Sequence, residues 1–265
     1  FNSGTPDLFV WNGGKISAYD INRVYVPTAT DRLQQIPDID LLTTNTIPGS
    51  GQEGTFFFQV DNARSTVRTG TVTLHDHYLI HVESGSYGPG ATTGVQLGAG
   101  TGVGGLNNQG LYDFRKVGDG ILILGDNSTS FTGSRSFVAG EGGVRVNSNG
   151  AFGDNTISAV INPTAALEIA VSNWLPTATL TQAWGSIERW AVSDARGNTG
   201  AYTLPDGVHL QVFTDVTTPS SRTINLAGGS IMGYLPLDYD KVAVIQTIRS
   251  GVTINLTADS FLGQI

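Results

Sequence analysis

Three of the four histidines in this 265-residue chain fall close together, as His75-Asp76-His77 and His81, with Glu83 just beyond. In a regular strand successive side chains alternate between faces, so positions 75, 77, 81 and 83 project to one side. Two imidazoles converging from one face are what a Zn²⁺ site needs, which makes His75, His77 and His81 a candidate metal set. The alternative is a polar outer face opposite Val72, Leu74, Tyr78, Ile80 and Val82, because Asp76 kinks the strand and no fourth ligand is evident.

Other spacings suggest chemistry less directly. Gly100-Thr-Gly-Val-Gly-Gly105 satisfies G-x-G-x-x-G. A phosphate cradle, however, needs a strand before it and a helix N-terminus after it, and Leu106-Asn-Asn-Gln-Gly110 follows instead, so a loop is expected. Asp38, Asp40, Asp238, Asp240 and Asp259 carry oxygens of the kind Ca²⁺ takes, without EF-hand spacing or a nonapeptide array; they read as solvated turns. Polysaccharide cleavage needs paired carboxylates, or acidic metal ligands with an Arg or Lys base, gathered on one face. The carboxylates here are thinly spread, and Asp113, Asp119 and Arg115 are a set that folding could gather. A G-x-S-x-G nucleophile elbow is missing. Trp174, Trp184 and Trp190, in a region with Arg189 and Arg196, form a candidate carbohydrate platform if exposed, or a covering of the core if buried. No cofactor is implied.

The elements that hold these residues must be short and turn-rich. Thirty-five glycines supply the positive φ that tight turns require and weaken helices, so an all-β chain is expected. The chain has no cysteine, which excludes disulfides, thiolate catalysis and sulfur-ligated zinc. The net charge of −8, without a basic run, disfavours nucleic acid as a partner. No apolar stretch approaches the roughly 20 residues that span a bilayer, so no membrane span is expected.

In chain order, Leu8–Trp11 and Arg23–Val26 read as strands around the turn Asn12-Gly13-Gly14. Asp31–Ile36 reads as one helical turn, and residues 1–54 as an irregular cap or first coils covering an edge that would otherwise pair with another chain. From Thr55 strand patterning dominates: Phe56–Val60 is nearly continuous, Val72 to Val82 alternates, and 84–110 is glycine-rich with one short strand, Gly94–Leu97. Ile157–Ile161, Leu167–Val171, Ile187–Val192 and Val208–Phe213 follow. Thr223-Ile-Asn-Leu226 returns as Thr253-Ile-Asn-Leu256, an offset of 30 residues, within the related segments 223–233 and 253–263. A strand closed by a glycine turn at a regular interval is what stacked coils produce.

The sharpest repeat unit is 116–153, KVGDGILILGDNSTSFTGSRSFVAGEGGVRVNSNGAFG. It resembles the autotransporter-associated β-strand repeat, whose pattern reads K-x-G-x-G-x-L-x-L-x-G-x-N, then (Y/F)-T-G-x-T-x-V, then G-x-L-x-V and G-A-L-G. Lys116, Gly118, Gly120, Leu122, Leu124, Asn127, Phe131, Thr132, Gly133, Val138, Gly142, Val144, Val146, Gly150, Ala151 and Gly153 fall on it, with Ser136 and Phe152 as departures. The resemblance implies a right-handed parallel β-helix over residues 55–265 on a secreted or surface-displayed bacterial passenger. With the carboxylates spread thinly, a non-catalytic structural or adhesive role is expected on that scaffold, with copies of itself or cell-surface and matrix components as partners. Repeat-like sequence runs to the last residues, so continuation of the chain or a docking partner is expected there, and head-to-tail contact would propagate a fibre. The rival expectation is a polysaccharide-processing enzyme or a carbohydrate-binding module on the same scaffold.

Overall fold

The computed structural model describes residues 8–11, 15–18, 32–36, 38–42, 54–60, 65–84, 94–98, 105–192, 194–197, 200–212, 222–232 and 252–263. Arg23–Val26, Gly100 to Gly104, Asp238 and Asp240 lie outside the described residues. The described chain is all-β, with no helix. Every strand pairing in it is parallel.

The first twelve strands visit three sheets in rotation. These are β1 (Leu8–Trp11), β2 (Lys15–Ala18) and β3 (Arg32–Gln35); β4 (Ile39–Leu42), β5 (Gly54–Val60) and β6 (Ser65–Arg68); β7 (Val72–Leu74), β8 (Tyr78–Ser84) and β9 (Gly94–Leu97); and β10 (Leu106–Asn107), β11 (Phe114–Val117) and β12 (Ile121–Leu124). Thereafter two strands make each pass: β13 (Ser136–Ala139) and β14 (Gly143–Val146), β15 (Ser158–Ile161) and β16 (Ala166–Ile169), β17 (Thr179–Gln182) and β18 (Ile187–Trp190). The series ends with β19 (Gly200–Leu204), β20 (His209–Val212), β21 (Arg222–Leu226), β22 (Ser230–Met232), β23 (Thr253–Leu256) and β24 (Phe261–Gly263). The ten-stranded sheet runs from β3 to β24, the seven-stranded sheet from β2 to β17, and the four-stranded sheet from β1 to β10; β19, β21 and β23 form a fourth sheet of three. After β10 the third side is closed by turns rather than strands. The Ser128 N–H donates to Gly150 O at 2.9 Å, and the Trp174 N–H to Ala195 O at 2.8 Å.

Register explains why four-residue strands suffice. Leu122 pairs with Val144, Val144 with Leu167, Leu167 with Glu188, Glu188 with Leu210 and Leu210 with Ile231, a step of 21 to 23 residues. Each strand's backbone groups bond to the pass before and the pass after, so a short segment is satisfied without a hairpin. The alternating burial of β11, β13 and β15 turns Phe114, Phe137, Ala139, Ala159 and Ile161 inward. Aromatic rings continue the interior: Phe114 stacks on Phe137 at 5.2 Å, Phe137 lies 4.8 Å from Phe152, and Phe152 meets Trp174 edge-on at 6.0 Å. Corners demand close approach. Gly133 has φ +90°, and a Cβ there would lie 2.1 Å from the Gly110 carbonyl oxygen.

One N-terminal expectation changes. Arg32–Gln35 is β3, not a helical turn, and pairs with Ser65–Arg68. A single helical turn fixes three residues for one hydrogen bond, whereas the ladder satisfies the same backbone on a preformed neighbour. Residues 1–54, expected as an irregular cap or the first coils, contribute β1 to β4, and these strands pair within the same sheets as the later passes. The 30-residue repeat does stack: Thr223, Ile224, Asn225 and Leu226 pair one to one with Thr253, Ile254, Asn255 and Leu256.

Candidate functional site

The strongest concentration of charge is internal. In β18 a period of two puts Glu188 and Trp190 on the same side, and register places Glu188 between Leu167 and Leu210 in the inward column. The side chain is fully buried. Its carboxylate accepts from Arg196 Nη2 at 2.7 Å and Nε at 3.1 Å, from Trp190 Nε1 at 2.7 Å and from Tyr202 OH at 2.8 Å. Four donors fill the lone pairs a carboxylate offers. The Arg196 guanidinium lies 4.6 Å over the Trp174 ring, and that of Arg222 lies 5.3 Å over Trp190. Arg222 also donates to the carbonyls of Arg196 and Gly197.

Burial works to raise the Glu188 pKa. The Arg196 charge and the hydrogen bonds from Arg196, Trp190 and Tyr202 override it and hold the carboxyl below the usual range. Burial and the neighbouring carboxylate push the Tyr202 phenol well up. The pair therefore stays ionised and saturated, which suits a fixed internal tie rather than proton transfer to a substrate. It lies where the seven-stranded sheet stops at β17 and the three-stranded sheet begins at β19.

Lys116 is a second internal charge. It pairs with Ile80 on one side and Ala139 on the other, so its side chain occupies the interior and is fully buried. Its Nζ donates to the Gly118 and Glu141 carbonyl oxygens, both at 2.6 Å, which ties one corner to the corresponding corner of the next pass. Burial pushes the amine down to about 7, against the opposing pull of Asp119 and Glu141.

The histidine set does not converge. The run from Val72 to Val82 is two strands, β7 and β8, separated by a corner at which Asp76 is buried and its Oδ1 accepts the His77 N–H at 2.8 Å. His75 Nε2 lies 2.6 Å from Asp40 Oδ1, and Gln109 Nε2 lies 3.2 Å from its Nδ1. His77 Nδ1 accepts the Asp113 N–H at 3.1 Å, and the ring meets Tyr112 edge-on. His81 lies against Gly118, where a Cβ would be 2.5 Å from its ring. The corner sends each imidazole to a different neighbour, and no group of three or more His, Asp or Glu among the described residues can hold a metal ion. The Glu83 side chain lies outside the described residues.

The tryptophan platform is also corrected. Trp174 and Trp190 are fully buried and Trp184 is 72% exposed, so three rings cannot stack on one sugar chain. The indoles of Trp174 and Trp190 cover the arginines of the internal cluster, while Trp184 lies over Gly207. Asp113 and Asp119 flank the two ends of β11, about 13 Å of extended chain, and Asp113 Oδ1 accepts the Ser136 N–H at 2.7 Å. Asp38 Oδ1 accepts the Thr71 N–H at 2.6 Å, and Asp259 lies exposed in a bend.

Uncharged columns face outward on two of the sheets, while the ten-stranded sheet aligns Arg145, Glu168 and Arg189 on the side away from the core, with Arg145 Nη1 2.6 Å from Glu168 Oε1. Ser136, Ser158 and Thr179 align on the seven-stranded sheet, beside Val138, Val160 and Thr181. On the three-stranded sheet Ala201, Thr223 and Thr253 align beside Thr203, Asn225 and Asn255. Asn225 Nδ2 donates to Thr203 Oγ1 at 3.2 Å, and Asn255 Nδ2 to Asn225 Oδ1 at 3.0 Å. Trp174, Trp190 and Arg196 stand out in the sequence, but Glu188, which joins the last two, and these columns become visible only once register is known. Comparison with known proteins finds no match for this chain among family models, curated proteins or solved structures.

Proposed function

We propose that the chain is a non-catalytic, extracellular structural or adhesive protein. In this reading it winds as a right-handed parallel β-helix of the kind the autotransporter-associated repeat implies, and it presents surfaces to copies of itself or to cell-surface and matrix components. The observation that carries the reading is the outward face. Aligned hydroxyl, methyl and amide groups offer uncharged, repeating patches on two sheets, while the ionised pair Glu188 and Arg196 is consumed internally. A chain of net charge −8 repels its own copies, so an uncharged face is where they meet at least electrostatic cost. Function is then mechanical: the axial ladder gives stiffness, and the repeating face gives contact.

Electron microscopy across a concentration series, with a parallel incubation on neutral and acidic polysaccharides, tests the reading. It predicts short rods that associate into filaments or sheets and no release of sugar fragments. Fragment release abolished by substitution of a carboxylate would overturn it in favour of a polysaccharide-processing enzyme.

A further inference from the structure

Three dipeptides of the described chain pair an exposed aspartate or asparagine with glycine: Asp119-Gly120, Asn149-Gly150 and Asp206-Gly207. Such pairs age by one reaction. The glycine amide nitrogen gives up its proton to a base in solution and attacks the side-chain carbonyl carbon of the preceding residue. For asparagine the new N–C bond forms as the C–NH₂ bond breaks and ammonia leaves. Water then opens the cyclic imide to aspartate or isoaspartate, and no oxidant or other co-reactant is needed.

In all three the glycine N–H already serves a neighbouring pass. Gly120 N–H donates to Val82 O at 2.8 Å and Gly207 N–H to Gly228 O at 3.2 Å, both backbone acceptors. Gly150 N–H donates instead to a side chain, Asn127 Oδ1, at 2.9 Å. The Gly150 carbonyl is held as well, by Ser128 N–H at 2.9 Å and Gly153 N–H at 3.0 Å. The same contact explains why glycine stands there: a Cβ on residue 150 would sit 2.9 Å from Asn127 Oδ1 and 3.3 Å from Asn127 Cβ. Close stacking thus imposes a vulnerable dipeptide and also occupies its reactive nitrogen.

We infer that Asn149 is a succinimide-forming modification site and that Asn127, one pass away, holds it in check. Asn149 differs from Asp119 and Asp206 in that one side chain guards it, so it converts first when the stack loosens locally.

The test is prolonged warm, mildly alkaline incubation of the whole chain, followed by peptide mapping that separates asparagine, aspartate and isoaspartate at 149. Asn127→Ala is expected to speed conversion about fivefold, which is about 1 kcal/mol at 1.4 kcal/mol per tenfold, the usual net value of one hydrogen bond. Asn127→Asp keeps a side-chain oxygen acceptor and is expected to stay near the wild-type rate. Conversion at Asp119 and Asp206 should remain slow in both variants; acceleration at all three positions would report global unfolding of a variant. The wild-type chain then decides alone: Asn149 must convert more slowly when folded than in denaturant, and the Gly150 amide must resist hydrogen exchange. Equal rates folded and denatured, a folded Asn127→Ala that converts no faster than wild type, or a freely exchanging Gly150 amide would each overturn the inference.

Discussion

Replacing Glu188 with leucine looks benign from the inward column alone, because Leu167 and Leu210 already flank it. The account predicts otherwise. Glu188→Leu leaves the Arg196 guanidinium, whose side chain is 9% exposed, without its anion. Removing one partner of a buried pair costs about 3–5 kcal/mol. At about 2–4 °C per kcal/mol for a chain of this size, the midpoint of thermal unfolding should fall by about 6–20 °C.

Adding Arg196→Leu should recover part of that loss, since exchanging a buried pair for apolar residues is often neutral or stabilising. The shortfall comes from Trp190 Nε1–H and Tyr202 O–H, left without an acceptor at about 1–3 kcal/mol each. The pH dependence has a definite sign. Glu188 titrates lower in the folded chain than in the unfolded one, so the unfolded state binds the extra proton between the two values. The stability that Glu188 supplies is therefore complete above the ordinary carboxylate range and is lost as pH falls through the folded value. Glu188→Leu should flatten that acid limb. Circular dichroism melts of the two single variants and the double variant, from acid to neutral pH, measure all of this. A Glu188→Leu chain as stable as wild type, or a double variant no better than Glu188→Leu alone, would refute the reasoning.

Other consequences can be checked the same way. Lys116 titrates near 7 when folded and near 10.5 when unfolded, so the unfolded chain holds its proton over that interval and stability should rise with pH across it; Lys116→Met should abolish the slope in urea titrations. Trp174→Ala, which empties a fully buried site, should cost about 3–5 kcal/mol, whereas Trp184→Ala should change the unfolding midpoint little. Gly133→Ala, at φ +90° and against the Gly110 carbonyl, should cost more than the roughly 1 kcal/mol of an ordinary glycine substitution, read from the same melts.

Much of the strand content was legible because strand and turn residues alternate so regularly. Leu8–Trp11 and Gly94–Leu97 lie where expected, and the Thr-Ile-Asn-Leu repeat stacks residue for residue. Arg32–Gln35 was misread because four polar-apolar residues carry no period of their own, and pairing with β6 decides their state. The histidine reading assumed one strand from Val72 to Val82. Asp76 divides it, and the corner between two sheets sends His75 and His77 to different neighbours, Asp40 and Asp113. Trp174 and Trp190 share their residue type with Trp184 but not its burial, a difference set by which side of a strand or corner faces the interior. Glu188 was hidden for the opposite reason: a charged residue in an apolar column reads as outward until the register of its neighbours is known.

The parallel register itself is the claim on which everything rests, and the cysteine-free chain allows a direct test by paired cysteines and mild oxidation. Ser136 and Ser158, and likewise Thr223 and Thr253, are register partners on adjacent strands. Such strands lie about 4.8 Å apart, within the roughly 4.4–6.8 Å Cα separation that a disulfide bridges, whereas Ser136 and Thr179 stand two strands apart at about 9.6 Å. Cross-linking of S136C/S158C and T223C/T253C, with S136C/T179C remaining reduced, is the predicted result. Failure of both adjacent pairs, or equal cross-linking of S136C/T179C, would contradict the parallel stack.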